Sequence, residues 1–223
     1  MPDGQYSFYL HSDDRTDIAA MATISTISQP LRGEFIRTAA TAGAVVYQVD
    51  ARLPALIPVF FAGQLSAVRL CAVMALVSGT WSSLTGLPDE PENGEAALPV
   101  SPETEYQRRR YTLTLQNGRS GERVESVLTE ASSRLREDRL RNLIITGLSL
   151  HTTAPELPRL LASMPVPPTS VSELQALVQQ MAGTADVNRA AAAVPDTPAA
   201  SAAPVSGSDT RELKKNMRRA FGD

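Results

Sequence analysis

The chain has 223 residues, enough for one large domain or two small ones and too few for a multidomain enzyme. Apolar residues make up 43% but aromatics only 5%, so any core is built from Ala, Leu, Val and Ile, which favours packed helices over a large sandwich. Lys and Arg number 21 against 24 Asp and Glu, so no global basic field announces nucleic acid and any such site must be local. Cys71 alone excludes a disulfide framework and a Cys-rich metal site. His11 and His151, the only histidines, leave too little for a His-based metal site or a Ser–His–Asp triad. The opening MPDGQYSFYL lacks the positive-then-apolar order of a secretion signal. The most apolar stretch, Leu53 to Val77, is interrupted by Pro54, Pro58, Gln64 and Arg69 and does not span a bilayer. The expectation is a soluble, cytoplasmic protein with no cofactor and no membrane partner.

Two low-complexity stretches divide the chain. Residues 88–102 (PDEPENGEAALPVSP) are acidic and punctuated by proline, and residues 184–209 are rich in Ala, Pro and Ser. Neither can bury enough apolar surface to offset its ordering entropy, so both read as linkers, the second disordered. They leave three pieces: 1–87, 103–183 and a charged tail, 210–223.

The first two pieces repeat one pattern. Leu31-Arg32 is answered by Leu135-Arg136, Arg37 by Arg141, Gly43 by Gly147, Leu53-Pro54 by Leu157-Pro158, and Gly79 by Gly183. From Ala20 to Gly79 the match needs no gap, and a duplication is its simplest origin. Each copy opens on a short alternating run. Tyr6, Phe8 and Leu10 share one face with Ser7, Tyr9 and His11 on the other. In the second copy Tyr111, Leu113 and Leu115 oppose Arg110, Thr112, Thr114 and Gln116. Period two predicts half-buried strands over 6–11 and 111–116. Turns with capping residues follow, Ser12-Asp13-Asp14 and Asn117-Gly118-Arg119-Ser120.

A helix comes next in each copy, with Ala20, Ile24, Ile27 and Leu31 answered by Val124, Leu128, Ala131 and Leu135. The longer helix after it carries Ile36, Ala39, Ala40, Gly43 and Tyr47 on one stripe, and Leu140, Leu143, Ile144, Gly147 and His151 on its counterpart. A mid-helix glycine costs about 1 kcal/mol relative to Ala, so its recurrence predicts a second backbone crossing closely there. Proline-marked segments predict shorter helices at 52–62 and 64–78, and at 155–163 and 170–182.

One strand per copy leaves its backbone N–H and C=O groups in need of a partner. The strand of another copy is the economical answer, within the chain or in a second chain. Strand, helix, helix, with the strand paired across a two-fold axis, is the ribbon-helix-helix arrangement. Its antiparallel ribbon fits the major groove and presents its outward residues to base edges. The fold class expected is mainly α: tandem ribbon-helix-helix units, each followed by short capping helices, then a disordered linker and a C-terminal amphipathic helix.

The order YSFYLH, an amphipathic helix, then LRGEFIRTAATAGAVVYQVDARLPALIPVFFA resembles the ParR-type adaptor of actin-like (type II) plasmid partition systems. The likeness is closest over residues 5–62, and the closing RELKKNMRRAFGD is similar to that family's charged C-terminal segment. The resemblance implies a non-enzymatic adaptor that binds repeats of a centromere-like plasmid site, assembles side by side with itself, and represses its own operon. It also implies a tail that engages a filament of the actin-like ATPase ParM. The family carries one ribbon-helix-helix unit per chain, and this chain departs from it in carrying two.

On this reading Thr112, Thr114 and Gln116 hydrogen-bond base edges, Arg110 pairs with guanine, and Ser7, Tyr9 and His11 face the duplex from the other strand. Residues 1–87 hold five Arg against six acids and residues 103–183 ten against nine, so the second copy is the better candidate. The run Arg108-Arg109-Arg110 is either a solvated approach to the strand or a set of phosphate contacts. Arg32 and Arg136 mark second-helix N-termini whose backbone N–H groups can meet phosphate. Arg37 and Arg141 fit a shared ion pair with Glu34 or Asp138 at least as well as a phosphate contact. His151 and Cys71 read as packing residues. No carboxylate pair or glycine-rich phosphate loop supports an active site. In the tail, Leu213, Met217, Ala220 and Phe221 share a helical stripe flanked by Lys214, Lys215, Arg218 and Arg219. Such a helix on a tether suits recognition in an acidic-rimmed apolar groove. Two other readings remain: a ribbon-helix-helix repressor or conjugation accessory protein, and a helical interaction scaffold that never touches DNA.

Overall fold

The computed structural model describes residues 4–80 and 107–192, with side chains as far as residue 183. The first half runs β1 (Gln5–His11), α1 (Arg15–Ser25), α2 (Arg32–Val49), α3 (Leu53–Leu56) and α4 (Ala67–Ser78). The second runs β2 (Arg108–Thr114), α5 (Arg119–Thr129), α6 (Arg136–Thr153), α7 (Leu157–Ser163) and α8 (Val171–Ala192). The described residues as far as Asn188 belong to one compact unit. It is mostly helical, with a single two-stranded sheet among the described residues.

The strands pair with each other, antiparallel, within the one chain. Gln5 opposes Thr114, Ser7 opposes Thr112, and His11 opposes Arg108. Backbone bonds extend the ladder at both ends, from Leu115 N–H to Gly4 (3.0 Å) and from Ser12 N–H to Gln107 (3.0 Å). A two-stranded ribbon is marginal by itself and needs a packed face. Phe8, Leu10, Leu113 and Leu115 are buried beneath it, and Phe8 stacks on Tyr111 with ring centroids 5.4 Å apart.

The base of that core is the α2–α6 crossing. Gly43 and Gly147 lie there in equivalent places. A methyl group on Gly43 would sit 2.0 Å from the Leu143 carbonyl oxygen, and one on Gly147 would sit 2.1 Å from that of Ala39. The repeated glycines therefore do let two backbones cross closely. Shared fastenings follow in both halves. The Thr16 hydroxyl donates to the Pro58 carbonyl (3.1 Å), and the Ser120 hydroxyl donates to that of Ala162 (3.2 Å).

Several boundaries differ from the sequence expectation. The second strand begins at Arg108 and ends at Thr114, so the arginine run lies inside it rather than ahead of it. Leu31 and Leu135 do not continue the apolar stripe of the preceding helix. That helix stops at Ser25 and Thr129, and both leucines stand exposed at the N-cap of the next. The segment at 52–62 is a four-residue helix followed by a 3-10 turn over Ile57–Phe60. Pro58 has no N–H to give a longer helix its bonds. The last helix continues past residue 183 to Ala192, into the stretch expected to be a disordered linker. Gly79 and Gly183 then part ways: Gly79 ends α4 with a left-handed φ of 70°, whereas Gly183 lies within α8. The expected linker at 88–102, the remainder of 193–209 and the tail lie outside the described residues.

Equilibrium urea unfolding checks the crossing. Gly43→Ala and Gly147→Ala are each expected to destabilise the protein by roughly 1–3 kcal/mol, because overpacking forces the helices apart. Gly183→Ala, with open space around its added methyl, is expected to stabilise by roughly 0.5–1 kcal/mol.

Candidate nucleic-acid interface

Strand parity sorts the side chains. With Phe8, Leu10 and Leu113 turned to the core, the outer face carries Ser7, Tyr9 and His11 from β1 and Arg108, Arg110, Thr112 and Thr114 from β2. Gln5 belongs to the same face, opposite Thr114 and exposed. The alternation that placed Ser7 also carried the signal for Gln5, one step before the expected start of the strand. Arg109 has the other parity: it opposes Leu10 and lies beside the Tyr111 ring, 5.5 Å from its centroid. Gln116 falls beyond the strand, exposed in the turn that leads to α5.

The outward arginines are held in place. The Arg110 guanidinium donates to the Ser7 hydroxyl through two nitrogens, at 2.9 and 3.2 Å. The Arg108 guanidinium lies 3.4 Å from the Tyr9 ring centroid and 3.8 Å from the Glu137 carboxylate. Stacking and hydrogen bonding limit the rotamer freedom that such side chains would lose on meeting a ligand. Arg32 and Arg136 do stand at the first positions of α2 and α6, but their side chains turn back. Arg32 Nε donates to the Ile27 carbonyl (2.8 Å) and Arg136 Nε to that of Leu128 (3.2 Å).

At the two ends of the ribbon, equivalent recesses differ in chemistry. Beside His11, Asp14 caps α1 by accepting from the N–H groups of Thr16 (2.8 Å) and Asp17 (3.1 Å). Asp17 is buried, at 1% exposure, and accepts from the His11 N–H at 2.9 Å and from Arg141 Nε at 2.7 Å. Arg141 also reaches Asp14 at 3.2 Å. Its partners are thus two aspartates of α1's first turn and cap rather than the expected Asp138. Burial pushes the Asp17 carboxyl above its ordinary range, against the pull of Arg141 and the His11 N–H. At the other end Arg37 keeps the expected ion pair with Glu34 and donates from Nε to the Thr114 carbonyl at 3.1 Å.

The difference traces to one residue. Three residues, Ser12 to Asp14, join β1's end to α1, whereas Asn117 and Gly118 alone follow Gln116 before α5. The shorter turn draws the Gln116 carbonyl onto the helix. A Cβ at Gly121, the counterpart of Asp17, would lie 2.1 Å from that oxygen. No side chain can occupy the Asp17 position in the second half.

Away from the ribbon, Arg139 donates to the Tyr47 hydroxyl (2.6 Å), which in turn donates to Glu130 (3.1 Å). In the equivalent place His151 meets the Phe35 ring edge-on, with centroids 4.9 Å apart. His151 is therefore a packing residue, and so is Cys71, which is buried with its thiol pushed up by that burial. Among the described residues no group of three or more His, Cys, Asp or Glu is placed to hold a metal ion. No helix there is long and apolar enough to cross a membrane. Removing the buried carboxylate is expected to matter far more than removing its exposed counterpart. Asp17→Ala should cost about 2–4 kcal/mol in urea unfolding, and Glu34→Ala under about 1 kcal/mol.

No curated protein and no solved structure is significantly similar to the chain. The family model described as "Plasmid stability protein" matches it twice, over residues 4–74 and 109–178. The first match runs from β1 into α4 and the second from the second residue of β2 into α8, and together they cover more than half of the sequence. A double match is what a duplicated unit leaves. The chain belongs to the plasmid stability protein family.

Proposed function

We propose that this protein is a DNA-binding plasmid partition adaptor of the ParR type, with two ribbon-helix-helix units fused into one chain. The observation that carries the reading is the antiparallel β1–β2 ribbon, whose outer face holds Arg108, Arg110, Thr112 and Thr114 beside Ser7, Tyr9 and His11. Such a ribbon has the width of the major groove. Its apolar underside rests on the α2–α6 base, so the strands can enter a groove without exposing the core. Membership of a plasmid stability family supports a role in plasmid maintenance.

In this reading the outward hydroxyls and guanidinium groups contact base edges, and Arg109 at the ribbon margin meets the phosphate backbone. Many chains side by side on repeated sites then present many tails. Each tail offers Leu213, Met217 and Phe221, flanked by Lys214, Lys215 and Arg218, to one end of a ParM-type filament. Clustering raises the effective concentration of individually weak contacts. The ATPase belongs to that partner and this chain is not an enzyme. Occupying its own control region would also repress its operon.

Two measurements test the reading. Labelled duplex from upstream of the gene is expected to bind with a sequence preference. Affinity should fall more than about tenfold between 50 and 200 mM salt, as phosphate contacts require. The double variant Arg108→Ala, Arg110→Ala should weaken binding roughly 10- to 100-fold while leaving the circular dichroism spectrum unchanged. Salt-insensitive or absent binding would favour a scaffold that does not touch DNA. Deleting residues 210–223 should spare DNA binding and abolish capture of filaments; a truncated chain that still segregates its plasmid would leave only the repressor role.

A further inference from the structure

Resting on the DNA-binding reading above, we infer that one chain by itself recognises a directional, non-palindromic duplex site, the two ends of its ribbon, each built from both strands, reading different halves. A ribbon built by two identical chains shows the same side chains on both sides of its axis, and its site mirrors that symmetry. Here both strands come from one chain, so the reading unit is complete in a single copy and is free to differ from side to side.

The axis can be placed. Ser7 opposes Thr112, and with Tyr6 aligned on Tyr111 those two residues are also equivalent in the repeat. The local two-fold therefore passes through that pair. On one side of it lie Tyr9, His11, Arg108 and Arg110; on the other lie Gln5 and Thr114, with Gln116 beyond. Equivalent positions carry Arg110 against Gln5, and Tyr9 against Thr114. A guanidinium fork matches O6 and N7 of guanine, whereas a carboxamide matches N6 and N7 of adenine. One half of the surface is built for guanine and the other for adenine.

The two ends also differ in charge. The recess beside His11 gathers Asp13, Asp14, Asp17, Glu137 and Asp138 around Arg141. Its counterpart gathers Arg37 and Arg119 around a single carboxylate, Glu34. Phosphate charge is the same in either orientation of a duplex, so these recesses set how strongly each end is held, and the direction rests on the base-edge difference between Arg110 and Gln5.

Selection from a pool of duplexes randomised over 20 base pairs, with the full chain as the binder, tests this directly. The expected product is a consensus without inverted symmetry, bound by one chain per site in mass photometry. Making that site palindromic by copying either half onto the other should weaken binding roughly tenfold or more. Arg110→Gln, which makes the equivalent positions alike, should shift the selected consensus toward an inverted repeat at the base pairs that position reads. An inverted-repeat consensus for the unaltered chain, or two chains on each site, would overturn the directional reading while DNA binding stood. A pool that shows no enrichment at all would overturn the DNA-binding reading itself, and this inference with it.

Discussion

Where α2 and α6 cross, a carbonyl oxygen occupies the space that a methyl group on Gly43 or Gly147 would need. That approach sets the distance between the two halves of the chain. Because β1 packs on α6 and β2 on α2, each strand lies against the long helix of the other half, and the crossing that places the helices also places the strands. Two strands brought within reach satisfy each other's backbone groups, and the ribbon closes. Residues with larger side chains at the crossing would hold the helices apart and leave β1 and β2 as unpaired edges. Ala39 stands at the contact itself, against Gly147, and its small side chain lets the two helices lie this close.

Fusion changes what the repeat can become. Two separate identical chains must change both sides of their axis at once, whereas joined halves can vary independently. The invariant parts of this protein are those the crossing and the ribbon require: the paired glycines, the buried strand positions, and the hydroxyl bonds from Thr16 and Ser120 to the capping segments. The divergent parts lie away from the crossing and the ribbon ladder, where each half meets its own local demands. One extra residue in the first turn opens room for Asp17 and turns Arg141 toward α1, while the shorter turn forces glycine at 121. Tyr47 with Arg139 and His151 with Phe35 show the same freedom: one place, filled once by a hydrogen-bonded cation and once by an aromatic edge.

Period-two alternation around Tyr6 and Tyr111 was enough to separate buried from outward strand residues, because a strand's side chains alternate whatever it pairs with. The repeat itself made the close helix crossing legible, since a glycine that weakens a helix twice in the same place must be answering a neighbour. Helix ends were less legible. Leu31 and Leu135 continue the apolar spacing of the preceding helix, yet the chain has already turned, and each stands exposed beside the next. Apolar spacing reports which residues could share a face, not where the helix ends.

By itself, then, the sequence determined a duplicated strand-helix-helix unit, its inward and outward faces, and the need for a partner strand. Only the tertiary structure decided that the partner lies in the same chain, which outward residues stand opposite one another, and that Arg141 is held by Asp17 while Arg37 is held by Glu34. The reason is physical. Alternation and spacing are properties of one segment and its local backbone geometry. Pairing and register depend on how far apart the α2–α6 crossing holds segments some hundred residues distant, which no local pattern encodes.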